Sequence, residues 1–418
     1  MENLIADLAA PAVMTALLCD AAAGVIALRA KADIPSGALQ WNLSCDGDIR
    51  SSGTLRLESF SPETVREYTL SYDIPAVVPG TRILLYLALA LPGTDEQPLA
   101  LFDIPAAKLL PLPELPELIT GCRSGAGASI ISAGKLAAVV EGGGIVSMTV
   151  NGENLMLRGP RLNLWRAPRE CDREEALPRW LKEHFDRIKV VPDHFNCYGK
   201  TLECRQLALP YFNDDDEFEF IQQIYPRRDG VIVADMTLVV PGCFADLPRL
   251  GVSLELPEDL RDITYFGRGP QENYPDNRNA ALLGRFNTSP EKMFTAYAKP
   301  QECGNRCDTE FAAFRSAERQ CGLLIVPGNT MSFSALPYSV GALDFAASST
   351  FLKAEKRIFV NCDLRQRSGF AAPENLPLPG AYRIHPGRYR FMLFFKALAP
   401  QDDPALAAHA VRAFAGEI

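Results

Sequence analysis

The chain has 418 residues, enough for about two to four domains, and 47% of them are hydrophobic and 22% charged, as in ordinary globular proteins. Its formal net charge of −9, with acidic residues spread along the sequence, excludes the clustered positive charge of a nucleic-acid-binding protein. No apolar run approaches the ~20 residues that cross a bilayer, so we expect no membrane segment.

"LAAPAVMTALLCD" (Leu8–Asp20) resembles the apolar region of a secretory signal, but the residues around it do not fit one. The first seven residues contain two acidic side chains and no Lys or Arg, and Leu18 is too large for the cleavage site that would precede a lipidated Cys19. The eleven cysteines include no C-x-x-C pair, and the spacing of Cys303 and Cys307 matches no common zinc site. We therefore expect reduced thiols in a cytoplasmic protein, with no metal bound by cysteine.

Apolar residues alternate with polar ones along the first hundred residues, which is typical of half-buried β-strands. A strand around Trp41 is predicted to end at an Asp-Gly-Asp turn at residues 46–48, and a third strand ends before Pro92. The inward-facing sets are Leu39, Trp41, Leu43 and Cys45; Leu55 and Leu57, expected to begin the return strand; and Ile83, Leu85, Leu87, Leu89 and Leu91. Residues 1–108 are therefore predicted to form an immunoglobulin-like β-sandwich.

A proline-rich segment follows. Residues 109–118, "LLPLPELPEL", contain three prolines, each of which fixes φ and removes a hydrogen-bond donor, so an extended linker is predicted there. Beyond it, "KLAAVVEGGGIVSMTVNGENLML" predicts three strands joined by a glycine turn and an Asn-Gly turn, and Asp229-Gly230 joins two more. Residues 119–400 are predicted to be one large antiparallel sandwich, so the fold class is all-β.

Two helices interrupt this pattern. "REEALPRWLKEHFDRI" (Arg173–Ile188) is predicted to form a short helix interrupted by Pro178. Asp403 as N-cap followed by Pro404 at the first helical position predicts a C-terminal helix within residues 401–418.

Polar groups concentrate in "YFGRGPQENYPDNRNAALLG" (Tyr265–Gly284) and "PQECGNRCD" (Pro300–Asp308). A glycosidase needs two carboxyl groups about 5–9.5 Å apart, and these segments supply four candidates: Glu272, Asp276, Glu302 and Asp308. Carboxylates in loops also accept bonds from backbone N–H groups and pair with arginine, here Arg268, Arg278 and Arg306. The density of Pro, Gly and Asn favours this structural interpretation.

Two further candidates are weaker. A sugar-epimerase would use a histidine base, for which His194 or His385 is available, although a lone histidine is more often a satisfied loop residue. "FNDDDEFEF" (Phe212–Phe220) lacks the spacing of a calcium loop and is predicted to be a solvated hairpin tip.

The two polar segments, extended to "TYFGRGPQENYPDNRNAALLGRF" and "YAKPQECGNRCD", closely resemble the C-terminal domain of the large, family-2 β-galactosidases. "NLWRAPRECDRE" (Asn163–Glu174) resembles the family segment N-F-W-R-A-P-T-D-N-D, and "LQWNLSCDGDIRSSGTL" resembles the immunoglobulin-like domain that precedes it. The resemblance implies that residues 119–400 adopt a galactose-mutarotase-like supersandwich.

In this family the catalytic glutamates and the magnesium ligands belong to a (β/α)₈ barrel, which takes about 250 residues of alternating strand and helix that this chain lacks. The resemblance therefore implies a non-catalytic C-terminal portion or small subunit of a β-galactosidase, with no cofactor of its own. Its partners would be a barrel-bearing chain or domain and a galactoside, within an oligomer. The alternative is a free-standing carbohydrate-binding or mutarotase-like module without hydrolase activity.

The chain departs from the family near its last strands. The family's G-G-D-D-S-W segment, whose Trp stacks on the sugar, is absent, and Phe370 is the candidate replacement ring. Also, R-Y-S becomes Pro337-Tyr338-Ser339. The candidates for carbohydrate binding or loop bracing are Arg166, Arg268, Glu272, Asn273, Asp276, Glu302, Asn305, Arg306 and Phe370.

Overall fold

The computed structural model describes residues 13–113, 117–125, 127–210, 217–368 and 378–415, together with the backbone of Leu4–Ala6. The predicted fold class is confirmed: antiparallel sheets dominate, and the longest helix lies at the C-terminal end. The chain divides into two compact units. The first comprises residues 1–113, 268–270 and 277–286, and the second comprises residues 114–267, 271–276 and 287–418.

The first unit has two sheets with a common apolar core. Its strands are β1 (Leu4–Ala6), β2 (Met14–Asp20), β3 (Val25–Ala30), β4 (Gly37–Cys45), β5 (Asp48–Leu57), β6 (Val65–Thr69), β7 (Ile83–Ala90) and β8 (Gln97–Asp103). One sheet has the order β1-β8-β7-β4-β5 and the other β2-β3-β6. Trp41 and its inward-facing neighbours on β4 pack in this core, because successive side chains of a strand point to opposite faces.

The turn after β4 corrects one detail of the sequence prediction. The return strand begins at Asp48 and not at Leu55, since β5 pairs with β4 along its whole length from Asp48 opposite Cys45. Asp46 and Gly47 make the two-residue turn with φ values of 49° and 87°. Short hairpins require such positive φ values, and Gly and Asp adopt them at low cost.

The remaining strands lie in the second unit, except for residues 268–269 and 282–286, which belong to the first. They are β9 (Thr120–Ser124), β10 (Ala128–Ala133), β11 (Leu136–Glu141), β12 (Gly144–Val150), β13 (Glu153–Met156), β14 (Arg158–Asn163), β15 (Lys189–Tyr198), β16 (Thr201–Leu209), β17 (Phe218–Pro226), β18 (Val231–Val240), β19 (Arg249–Pro257), β20 (Asp262–Gly269), β21 (Leu282–Thr288), β22 (Arg306–Thr309), β23 (Phe311–Arg315), β24 (Gly322–Pro327), β25 (Met331–Leu336), β26 (Arg357–Gln366) and β27 (Gly387–Leu398). The predicted turns at Asn151-Gly152 and Asp229-Gly230 join β12 to β13 and β17 to β18.

These strands form three sheets. A nine-stranded sheet has the order β15-β16-β17-β18-β27-β24-β23-β20-β21. Two five-stranded sheets have the orders β13-β12-β11-β10-β9 and β14-β19-β26-β25-β22. The inward face of the nine-stranded sheet is apolar along β18 and β27, where Met236, Leu238, Leu393 and Phe395 are buried. Burial of these side chains is the main contribution to the stability of the sandwich.

The helices are α1 (Leu177–Lys182), α2 (Pro290–Met293), α3 (Val340–Phe345) and α4 (Pro404–Ala415). The predicted helix over Arg173–Ile188 is wrong in extent, because only six residues are α-helical and Pro178 lies in the first turn instead of interrupting the helix. A proline is tolerated there because the first N–H groups have no intrahelical acceptor. The predicted cap of α4 is confirmed: Asp403 Oδ1 accepts bonds from the N–H groups of Ala405 and Leu406 at 2.8 and 2.9 Å.

The predicted hairpin tip at Phe212–Phe220 falls largely on residues 211–216, which lie outside the described residues. Within the described part of the chain, no helix is both long and apolar enough to span a bilayer.

Candidate functional site

Loops of the second unit meet around a set of buried ion pairs, which we call the arginine network; its members are Arg166, Arg249 and Arg367 with Asp172, Asp246, Glu302 and Asp363. All seven side chains are at most 1% exposed. A charge in such surroundings is costly unless an opposite charge and hydrogen bonds offset the loss of water.

Arg166 occupies the centre of the loop that follows β14. Its guanidinium donates to both carboxylate oxygens of Asp172 at 2.9 Å and to the carbonyl of Arg367 at 2.7 Å. Burial by itself would lower the pKa of Arg166, but the charge and hydrogen bonds of Asp172, together with the nearby Cys171 and Glu302, raise the pKa above its usual value. This pair, in which one guanidinium nitrogen donates to both carboxylate oxygens, closes the loop on itself, because the two residues are only six positions apart.

Arg367, directly after β26, connects this loop to two distant segments. It donates to Asp172 at 3.2 Å, to Asp246 at 3.0 Å and to Glu175 at 2.8 Å. Its guanidinium carbon also lies 5.5 Å from the centre of the Trp180 ring. One side chain therefore holds together the loop after β14, the loop after β18 and the short helix α1.

Arg249 at the start of β19 forms the second half of the network. It pairs with Glu302 and with Asp363, whose Oδ2 lies 3.0 Å from its Nε. Burial raises the pKa of Asp363 to about 7, despite the opposing effect of Arg249. Gln366 then donates to Asp363 at 2.7 Å and to Asn305 at 3.1 Å, which ties the strand β26 to the loop before β22.

The predicted polar segments bind backbone groups of the same loops. Glu272 accepts the N–H of Gly304 at 2.7 Å and the hydroxyl of Tyr297, and burial together with Glu272 raises the pKa of Tyr297. Asn273 accepts the N–H of Cys307 at 2.9 Å, and Asn305 donates to the carbonyl of Asn273 at 2.7 Å. These bonds fix the two segments against each other.

The other predicted residues have similar contacts, with two exceptions. Arg306 donates to the Tyr265 hydroxyl at 3.1 Å and to nearby carbonyls, and Asp276 accepts a bond from Ser368. Arg268 belongs to the first unit, where it donates to the carbonyl of Ala281 at 3.1 Å. Phe370 lies outside the described residues.

The exposure of the candidate acids and bases determines which of them could contact a substrate. Glu302 and Asp363 share Arg249 but are 1% and 0% exposed, so neither can reach a substrate. His194 is exposed and lies 2.6 Å from the amide nitrogen of Asn196, and His385 is exposed on the surface. Among the residues that the structure describes, no cluster of three or more His, Cys, Asp or Glu side chains is placed to hold a metal ion.

An open cleft of ≈ 460 Å³ lies beside the network, lined in part by Trp165, Arg173, Leu181, Lys299, Asp344 and Phe345. Trp165 donates its indole N–H to Asp344 at 2.9 Å, which fixes the ring. Phe345, at the end of α3, is 90% exposed. Because Trp165 adjoins Arg166 and Lys299 precedes Glu302 by three residues, the network holds the backbone that carries these cleft residues.

Sequence reasoning missed Arg249, Arg367, Asp246 and Asp363. They lie in or beside strands without a recognisable motif, and their ion-pair partners are up to 195 residues away in the sequence. The available signal was a charged residue at an inward-facing strand position, as in "PRLGVSLEL" and "FVNCDLRQR".

Relatives of this chain occur among known protein families and curated proteins. The family described as "Beta galactosidase small chain" matches residues 136–394, which is more than half of the chain. A β-galactosidase of Vibrio cholerae is 27% identical over 283 residues, covering 60% of this chain and 25% of its own length. One from Vibrio vulnificus is 25% identical over 394 residues, covering 86% of this chain and 36% of its own. The chain thus spans about a quarter to a third of these relatives.

Two solved structures are similar to part of this chain. A putative aldose 1-epimerase from Escherichia coli has a TM-score of 0.33 at 8% identity, covering 67% of this chain and 99% of its own. A galactose 1-epimerase from Lactobacillus acidophilus has a TM-score of 0.34 at 10% identity, covering 68% and 99%. With more than half of its sequence matched by the family, this chain belongs to the β-galactosidase small chain family.

Proposed function

We propose that this chain is the non-catalytic C-terminal portion or small subunit of a β-galactosidase, and that it supports the active-site mouth of a (β/α)₈ barrel carried by another chain or domain. The single observation that carries the proposal is the match of residues 136–394 to the β-galactosidase small chain family, and the arginine network adds contacts that connect the loops around the cleft. The proposal also includes family 2, a cytoplasmic location, an oligomeric assembly and the division into domains at residues 1–108, 109–118, 119–400 and 401–418.

The network supports a positioning role because its members are not themselves accessible. Replacing a buried ion pair by apolar residues is often neutral or stabilising, so such pairs are weak evidence for stability as such. What this network does is fix four separated segments of backbone. A surface that must match a partner benefits from such rigidity, since ordering mobile loops on binding costs free energy.

The cleft rim supplies a docking surface of suitable chemistry. Phe345 is 90% and Leu181 42% exposed, and large apolar side chains that stay in water on one rim are typical of a protein contact. Two charged side chains beside them, Lys299 and Arg173, supply the polar periphery that interfaces usually have. The matched part covers only 25% and 36% of the lengths of these relatives, which leaves ample polypeptide for the partner.

The test pairs the purified chain with the barrel-bearing galactosidase polypeptide of the same organism. We expect the chain alone not to hydrolyse a chromogenic galactoside, and the mixture to co-elute on size exclusion and hydrolyse it faster than the barrel polypeptide alone. Phe345→Asp should raise the Kd of the complex at least tenfold and so reduce co-elution. Tyr198→Asp, a change of another exposed aromatic residue, should leave the Kd unchanged. Hydrolysis by the chain alone, or no association of the two polypeptides, would refute the proposal.

The cleft also favours a second candidate function, a free-standing carbohydrate-binding module. An aromatic face beside hydrogen-bonding groups is the usual arrangement for holding a sugar, and Trp165, Phe345 and Asp344 provide one. A bound sugar at a hundred times its Kd would stabilise the fold by about 2.7 kcal/mol. Galactose at millimolar concentration should then raise the unfolding temperature of the isolated chain, and Phe345→Ala should abolish the rise. An unchanged unfolding temperature with the wild-type chain would reject this candidate.

A further inference from the structure

Two cysteines lie where the edges of two sheets meet. Cys122 is on β9, the last strand of the sheet β13-β12-β11-β10-β9, and Cys197 is on β15, the first strand of the nine-stranded sheet. The two sheets pack on each other through β10, which contacts β17 and β18. An edge strand has one row of backbone groups that no strand of its own sheet pairs with. The β-ladders of the two sheets therefore do not join β9 to β15.

Side-chain contacts bring the two edges close. The thiols of Cys122 and Cys197 are neighbours, close enough for Cys197 to contribute to the raised pKa of Cys122. Independently, Lys200 in the turn after β15 donates to the hydroxyl of Thr120 on β9 at 2.8 Å. Thr120 and Cys122 are two positions apart on one strand and so share a face. Two neighbouring side chains of β9, Thr120 and Cys122, therefore face the other sheet, and the proximity of the two edges does not depend on the rotamer of one of them.

The two sulfur atoms differ in accessibility. Cys197 is exposed and Cys122 is half-buried, and burial followed by the neighbouring Cys197 raises the pKa of the Cys122 thiol. A reagent in solution meets Cys197 first. Cys122 is then the neighbouring thiol that can attack the sulfur of Cys197, and the disulfide forms when the two Cβ atoms approach to about 3.5–4.5 Å.

We propose that Cys122 and Cys197 are a dithiol site that closes to a disulfide by exchange with a small disulfide such as oxidised glutathione. The Cys197 thiolate attacks one glutathione sulfur, which forms a mixed disulfide and releases one glutathione thiolate. The Cys122 thiol loses its proton to water, and its thiolate then attacks the Cys197 sulfur and displaces the second glutathione. Two protein thiols and one oxidised glutathione give one protein disulfide and two reduced glutathiones.

The new bond joins the free edges of the two sheets. It closes the long loop between Cys122 and Cys197 and so reduces the freedom of the unfolded chain. Oxidation should therefore raise the temperature at which the second unit unfolds by roughly 5 °C or more. This site stands apart from the cleft, and the proposal does not depend on the function proposed above.

The test incubates the full chain with oxidised glutathione, with a dithiothreitol-treated sample as the reference. Peptide mapping without reduction should give one linked peptide pair containing Cys122 and Cys197, with no glutathione on either cysteine. Cys122→Ser should retain a glutathione adduct on Cys197, because the second thiol is missing. Cys19→Ser, a change of an exposed cysteine in the first unit, should form the link as the wild type does.

Two results would overturn the proposal. One is a stable glutathione adduct on Cys197 of the wild-type chain with Cys122 still free, since the two sulfurs would then be too far apart to react. The other is a linked peptide that pairs either cysteine with a third one. Unfolding temperatures measured with and without dithiothreitol provide a separate readout, which should differ for the wild type and Cys19→Ser but not for Cys122→Ser.

Discussion

Asp172→Asn removes one charge from the arginine network and leaves its shape almost unchanged. Asp172 is 0% exposed and accepts bonds from Arg166, from Arg367 and from the N–H of Arg169. The amide retains one acceptor oxygen, but it places an N–H₂ group against a guanidinium and leaves buried positive charge uncompensated. Breaking a buried ion pair in this way costs about 3–5 kcal/mol.

The matched control is Glu117→Gln in the same unit. Glu117 pairs with Arg228 at 3.3 Å, but the two side chains are 77% and 67% exposed, so solvent screens the pair. Its loss should cost less than about 1 kcal/mol. Both variants replace a carboxylate with an amide, so the difference between them measures the effect of burial.

Urea unfolding followed by tryptophan fluorescence measures both variants. Trp165 and Trp180 belong to the second unit, and Trp180 donates to the carbonyl of Asp246 at 3.3 Å, so their signal reports on the network directly. We expect a lower urea midpoint for Asp172→Asn, with the slope unchanged. If its loss of unfolding free energy is no larger than that of Glu117→Gln, the argument that the network fixes these loops is wrong.

Three further predictions concern other parts of the second unit. Burial raises the pKa of Asp363 to about 7, so between about pH 4 and pH 7 the native state binds a proton that the unfolded state releases. The stability of the wild type relative to Asp363→Asn should therefore fall as the pH rises through that range. A difference in urea midpoint that does not change with pH would contradict this. Gly304→Ala should lower the unfolding temperature, since Gly304 has a φ of 77° and a Cβ there would lie 2.7 Å from the carbonyl oxygen of Met293; an unchanged temperature would show that the loop adapts. Asp403→Ala should cost about 1 kcal/mol in urea unfolding by leaving two N–H groups of α4 without acceptors, and no loss would mean that water replaces the cap.

The strands can be predicted well from the sequence, because the alternation of apolar and polar residues along each strand reflects which of its faces is buried. The alternation around Trp41, the turn at Asn151-Gly152 and the cap at Asp403 are local features, and local physics determines them. The extent of α1 was harder to predict, because Pro178 is compatible both with a break and with a first turn. Only the packing of Trp180 in the interior favours the second.

The candidate site is less predictable because its contacts are not local. The density of polar residues in Tyr265–Gly284 indicates an elaborate turn, and Glu272 and Asn273 do bind backbone N–H groups. Nothing near Arg367 in the sequence indicates that it meets Asp172, which lies 195 residues earlier. The cleft depends on how α3 packs beside the loop that contains Trp165. A single sequence does not show that two segments so far apart along the chain lie next to each other.

The first unit is discontinuous in sequence, and this affects how the protein is made. Residues 268–270 and 277–286 belong to that unit, and the backbone of Arg285 passes directly beside Gly47. A ribosome adds about 5–20 residues per second, so the opening sandwich waits roughly ten seconds or longer for its last pieces after residue 113 has been added. During synthesis the N-terminal part is therefore incomplete until most of the chain has emerged, and a nascent polypeptide stopped at residue 113 should be cut by proteases more readily than the same residues within the finished protein.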